Sequence, residues 1–355
     1  MSRWMDLLLA ALALLCLWRC RIVRPLSAFY TDALSPKACL PVRGLMAVLV
    51  LLHHVAQQTG AGRFFRMFLY VGVLPVSVFF FLSGYGMMLG CMSGRYDRRR
   101  FLMRRVPPLL VPALLSLCLF SLCTLAAGEA TAPLTLIRLI FAADPILVIH
   151  WYVLVILLFY LAFGLFLWLF GDRPKRLLAA MALFCLVYQV LLGLQAAGQW
   201  WMNTCQLLVF GMAWALYRDR LIPGVRRAWW PLFLGCALAF LLLWQYFDAV
   251  FALRPGYWFR LLLLILRCCL FTACCLLLFW KLRLDNPALR FLGKCSYELY
   301  IFQIIPLYLF RSGAIWIGDD LVYALAVCMG TVLLAALLHP VTAALKRRCA
   351  AAAKK

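Results

Sequence analysis

The sequence predicts an all-α, polytopic transmembrane bundle, with ten helices of one membrane domain preceded by an extra N-terminal helix. Three observations carry that prediction. The 355 residues are 67% hydrophobic and only 13% charged, whereas soluble domains are about a quarter charged. Apolar runs of 15 to 25 residues recur from end to end, and roughly 20 residues cross about 30 Å of hydrocarbon. Basic residues segregate, with 27 of the 35 Lys and Arg in one alternating set of loops and six in the other. The positive-inside rule assigns the rich side to the cytoplasm. The expected location is the cell membrane, multi-pass, with a cytoplasmic C-terminus.

The first run, about 4–18, is short and stops at Arg19 without a small-x-small cleavage site, so it reads as an uncleaved helix with its N-terminus outside. With a basic linker it makes up residues 1–36; the membrane domain is 37–345, and 346–355 is a basic tail. The second run, 40–56, carries Arg43 and His54, and the third, 71–92, carries Ser83 and Tyr85 among glycines. An arginine-rich loop, 94–105, leads into the fourth, 106–126. His150, Trp151 and Tyr152 lie near the outer start of the fifth, 145–170, where aromatic anchoring is common. The sixth, 177–195, follows a basic cluster, and the seventh, 200–217, opens on a polar patch of Asn203, Thr204 and Gln206. The eighth is 229–246, and the ninth, 258–280, holds Arg267. Tyr297, Glu298 and Gln303 fall in the tenth, 295–311; His339 lies before Pro340 in the last, 320–345.

No linker leaves room for a soluble domain, and the net charge of +23 is spread over one face's loops rather than gathered for nucleic acid. The 16 cysteines are scattered through apolar runs with no paired CxxC, the pattern of small hydrophobic filler rather than a metal site. No repeat of 20–50 residues is visible, which weighs against transporter folds built from duplicated halves.

Ionisable groups inside the bilayer cost on the order of 2.5–3.5 kcal/mol each, so the few present are functional candidates. Arg43 and His54 are eleven residues apart, which leaves them about 20° apart around a helix and about 16 Å apart along it. His53 points about 100° away, toward a neighbouring helix or carbonyl. A cation near the cytoplasmic surface and a base leaning outward on one face suit an anionic donor from inside and an acceptor outside. Arg43 can hold phosphates, and neutral His54 can take a hydroxyl proton. On spacing alone, a snorkelling Arg43 and a packing His54 would explain the pattern as well.

RGLMAVLVLLHH at 43–54 resembles the Arg-x10-His signature of the acyltransferase-3 integral membrane acyltransferases. The resemblance continues in order through VGVLPVSVFFFLSGYGMMLG at 71–90, FLMRRVPPLLVPALL at 101–115, HWYVLVILLFYL at 150–161 and LRFLGKCSYELYIFQIIPLYLF at 289–310. It implies acyl transfer, most often of acetyl, from a cytoplasmic acyl-CoA to a hydroxyl of a carbohydrate or glycan at the outer face. The co-substrate is then acyl-CoA, with no permanently bound cofactor and no metal, and the partners are the lipid bilayer and the glycan acceptor. Arg43 and His54 inherit the family's essential pair. Two positions depart from the pattern: Pro108 stands where the family commonly has a second arginine, and Gln303 where it often has histidine. Glutamine cannot exchange protons near neutrality.

By the same resemblance, Arg104, Arg105, Ser83 and Tyr85 are donor-side candidates. His150, Trp151, Tyr152, Asn203, Tyr297, Glu298 and Gln303 are acceptor or cavity candidates. Each has a structural alternative. The 94–105 arginines anchor topology and touch anionic lipid, and Ser83, Gly84, Gly86 and Gly90 let helices approach closely. Glu298 pairs with Lys294 one turn away, or with Arg267, which needs some partner if buried. His339 is expected at a helix end. A transporter of a glycan, lipid or small solute is the rival class, since it too would need charge within the membrane.

Overall fold

A computed structural model describes residues 3–352 except 26, 61, 95, 97–99, 130–134, 137, 139–149 and 172. The opening of the fifth expected run, most of the 127–144 loop, part of the arginine-rich loop and the end of the tail therefore lie outside the described residues. The chain is an all-α polytopic bundle. Among the described residues, seven helices are long and apolar enough to cross a membrane: α2 (Pro36–Gln58), α3 (Val73–Met92), α4 (Phe101–Ala126), α5 (Trp151–Phe170), α6 (Pro174–Leu194), α10 (Tyr257–Phe279) and α14 (Asp320–Ala352).

The N-terminal run folds as a 3₁₀ turn, Arg3–Asp6, and α1 (Leu7–Leu17). Asp6 Oδ1 accepts the N–H groups of Phe64 and Phe65 at 3.0 and 2.9 Å. At the other end β1 (Cys20–Ile22) pairs antiparallel with β2 (Leu282–Leu284). The helix thus runs from the loop after α2 to the loop after α10, on opposite ends of the bundle. Helix α2 starts where Ser35 caps it, its hydroxyl accepting from Ala38 N at 3.2 Å, with Pro36 in the first turn, where its missing N–H costs nothing.

Two helix pairs meet backbone to backbone. A Cβ added to Gly84 on α3 would lie 1.8 Å from the Leu208 carbonyl oxygen of α7 (Gln206–Arg227), and one added to Gly211 on α7 would lie 2.1 Å from that of Phe81. The same reciprocity joins α2 to α11 (Pro287–Lys294), where Gly44 faces the Leu289 oxygen at 2.2 Å and Gly293 the Leu40 oxygen at 1.9 Å. Small residues allow this approach where lipid offers little hydrophobic drive between helices.

Four expected spans are not single straight helices. The first is only the eleven residues of α1 and its 3₁₀ turn, shorter than the seven spanning helices. The seventh and eighth form α7 and α8 (Trp229–Gln245), joined at a bend of 88° and followed by the short α9 (Phe247–Leu253). The tenth breaks into α12 (Ser296–Phe302) and α13 (Ile304–Leu309). Pro306 explains the second break, since it has no N–H for the Phe302 carbonyl and its ring crowds that turn. Gln303 sits at the break, buried, its Nε2 donating to the Tyr300 carbonyl at 2.8 Å.

Candidate functional site

Two cavities lie at the two ends of α2. The first, of about 590 Å³, is walled by Arg43 from α2, Ser83 and Gly86 from α3, Arg104 and Arg105 from α4, Tyr152 from α5, Tyr297 from α12 and Lys346 from α14. The second, of about 300 Å³, is walled by His53, His54 and Gln57 from α2, Gly72, Trp151, and Trp200 from the turn before α7. Val76 and Tyr300 line both. One helix therefore presents Arg43 to the first cavity and His54 to the second.

In the larger chamber Arg43 is half-buried, and among the described residues it makes no ion pair. Arg105 donates to the Tyr96 hydroxyl and lies 5.4 Å from that ring's centroid, so its guanidinium is oriented rather than free. Tyr297 donates to the Leu109 carbonyl of α4 at 2.6 Å. Pro108, the departure from the family pattern, stands in the wall beside these groups.

The smaller chamber is organised around two adjacent imidazoles. His54 Nδ1 is 2.9 Å from Gln57 Oε1. An amide oxygen only accepts, so Nδ1 carries the hydrogen and Nε2 keeps its lone pair. His53 Nδ1 donates to the Phe68 carbonyl at 2.7 Å, the kind of partner expected for it, yet its ring also lines the chamber. The two rings meet edge to face at 4.9 Å. Behind His53 stands Gly72, where a Cβ would come 2.3 Å from Nε2. Gly72 is in a helical conformation, φ −42° and ψ −48°, that any residue adopts, so the ring alone demands the glycine.

Of the residues singled out in the sequence, the larger chamber gathers Arg43, Ser83, Arg104, Arg105, Tyr152 and Tyr297, and the smaller gathers His54 and Trp151. Tyr85 packs among hydrophobic residues on α3 and lines neither. His150 is buried at the start of α5, away from both linings. Asn203 belongs to an internal turn, its carbonyl accepting from Gln206 Nε2 at 2.8 Å. Gln189 on α6 fastens that turn through the Met202 carbonyl at 2.9 Å, which ties the polar patch to α6.

The Glu298 expectations are corrected. Its partners are neither Lys294 nor Arg267 but Lys346 Nζ at 3.0 Å and the Thr342 hydroxyl at 2.7 Å, both on α14, with His339 Nδ1 at 3.4 Å. His339 accordingly sits within α14 rather than at its end. Arg267 is covered by the rings of Trp244 and Phe247, 5.3 and 5.0 Å from its guanidinium carbon. Cation–π contact supplies the partner that burial requires. Among the glycines, Gly84 and Gly90 are close-packing positions, but a Cβ on Gly86 would meet nothing within 4 Å, because it faces the chamber.

Sequence reasoning missed Gln57, Gly72, Val76, Trp200, Tyr300 and Lys346. Gln57 had a readable signal, since it follows His54 by three residues on one helical face. A family model described as an acyltransferase domain matches residues 42–339. No curated protein and no solved structure matches the chain.

Proposed function

The chain belongs to the acyltransferase-3 family of membrane acyltransferases, and from that premise we propose that it moves a short acyl group from cytoplasmic acyl-CoA to a hydroxyl of an extracytoplasmic glycan. The observation that carries this reading is the placement of Arg43 and His54 in adjoining chambers at opposite ends of one helix. Arg43, with Arg104, Arg105 and Lys346, makes the larger chamber cationic, suited to the phosphates of CoA. The thioester extends toward Val76 and Tyr300. The smaller chamber pairs the rings of Trp151 and Trp200 with the polar His54 and Gln57, the mix of apolar platform and placed polar group that a sugar hydroxyl requires.

His54 Nε2 takes the proton as the acceptor oxygen attacks the thioester carbonyl. The new C–O bond forms, the C–S bond breaks, and the CoA thiolate leaves and is protonated to the thiol. Gln57, by holding the Nδ1 hydrogen, keeps Nε2 free for that role. A general base of this kind contributes about 10²–10⁴-fold.

The test is transfer of radiolabelled acetyl from acetyl-CoA into cell-envelope material by the native protein and by His54→Ala at matched expression. The expected result is label lost in the variant while CoA still binds. Full acylation by a folded His54→Ala protein would sink the mechanism. Solute flux without CoA consumption would instead favour a transporter, the alternative that chambers at both ends of the bundle also suit.

A further inference from the structure

The two chambers share a partition built from three helices. Val76 on α3 and Tyr300 on α12 line both sides, and both are buried, 4% and 6% exposed. The Tyr300 ring stands edge to face with that of Tyr152 on α5 at 5.5 Å, and the Tyr152 ring in turn meets Phe80 at 5.0 Å. Phe80 lies one turn beyond Val76 on α3. The Tyr300 carbonyl accepts a hydrogen bond from Gln303 Nε2 at 2.8 Å. This partition is an interlocked aromatic wall rather than a row of adaptable side chains.

Val76 and Tyr300, which line both chambers, stand between an acyl group anchored through its CoA on the Arg43 side and the Nε2 side of His54. We infer that these two residues form an acyl-length filter, admitting two or three carbons and excluding medium and long chains. The inference rests on the acyl-CoA reading above and adds its substrate class. A flexible wall of methionine or leucine would repack around a longer chain. Here the buried Tyr300 ring is packed edge to face on that of Tyr152, and Val76 has one stiff rotatable bond.

The experiment compares acetyl-, butanoyl- and octanoyl-CoA, each labelled in the acyl group, as donors to cell-envelope material for the native protein, Val76→Ala and Val76→Phe. Native protein should transfer octanoyl far more slowly than acetyl. Val76→Ala should raise the octanoyl-to-acetyl ratio at least about tenfold, the scale on which pockets sense a few carbons. Val76→Phe should lower the butanoyl-to-acetyl ratio by a similar factor. Ratios unchanged in both variants while acetyl transfer persists would overturn the filter and leave the acyltransferase reading intact. Equal native rates with octanoyl and acetyl would overturn it as well. No transfer of any acyl group by the native protein would remove the reading and the filter together.

Discussion

Substituting Gly72 by alanine should disable the smaller chamber through the His53 ring, leaving His54 and Gln57 themselves unaltered. The added Cβ would lie 2.3 Å from His53 Nε2, 2.4 Å from Cδ2 and 2.7 Å from Cε1, whereas carbon contacts settle near 3.5–4.0 Å. The ring must retreat by about 1 Å, and the 2.7 Å bond from His53 to the Phe68 carbonyl is the contact it gives up. Overpacking costs about 1–3 kcal/mol and the lost hydrogen bond about 0.5–1.5, so the variant should be roughly 2–4 kcal/mol less stable. With the His53 and His54 rings 4.9 Å apart, the retreat displaces His54 too. A misplacement near 1 Å is worth on the order of 10²-fold in rate. Acyl transfer and thermal unfolding in detergent, measured for Gly72→Ala, His53→Ala and the double variant, give the answer. Removing the ring should make the Gly72 change nearly silent, with a coupling close to its whole cost, roughly 2–4 kcal/mol. Additive single effects would refute the claim that the His53 ring is what the glycine accommodates.

Gly84→Ala should prevent assembly of α3 against α7, because its Cβ would meet a backbone oxygen at 1.8 Å that no side-chain rotation can move; Gly86→Ala should fold normally, read by yield and elution of the monodisperse protein. Gln57→Leu should lower acyl transfer by roughly tenfold through the loss of one oriented hydrogen bond, with Gln57→Asn failing to restore it and the CoA KM unmoved. Arg43→Ala should raise the acyl-CoA KM, measured by initial rates, far more than Arg104→Ala, because Arg104 is exposed and Arg43 is half-buried without an ion-pair partner among the described residues. Removing Lys346 by Lys346→Ala leaves the Glu298 carboxylate, 2% exposed, with only neutral hydroxyl support beside His339, and should cost about 3 kcal/mol of stability in denaturant unfolding.

How far the molecule could be read in advance depended on distance along the chain. The bundle was legible because hydropathy and loop charge act locally, and Arg43 with His54 was legible because one helix relates them. Lys346 and Glu298 are 48 residues apart and meet only through the packing of α12 on α14. Tyr300 carried the aromatic signature of its helix, but nothing local placed it against Tyr152 on α5. The break at Gln303 did leave a mark in Pro306, whose cost inside a continuous span outweighs the apolar run around it. The need for Gly72 left none, since its backbone is ordinary and the obstructing ring belongs to another helix.

Placing both reactive ends on α2 has a mechanical consequence. The helix is unbroken from Arg43 to His54, and its one internal proline, Pro41, precedes both. Breathing of the bundle moves the walls supplied by α3, α5 and α12, but it leaves the rise of about 16 Å between cation and imidazole unchanged. That interval is a fixed gauge. A thioester whose arm between phosphate and sulfur is shorter than CoA's would seat at one end of it and never arrive at the other.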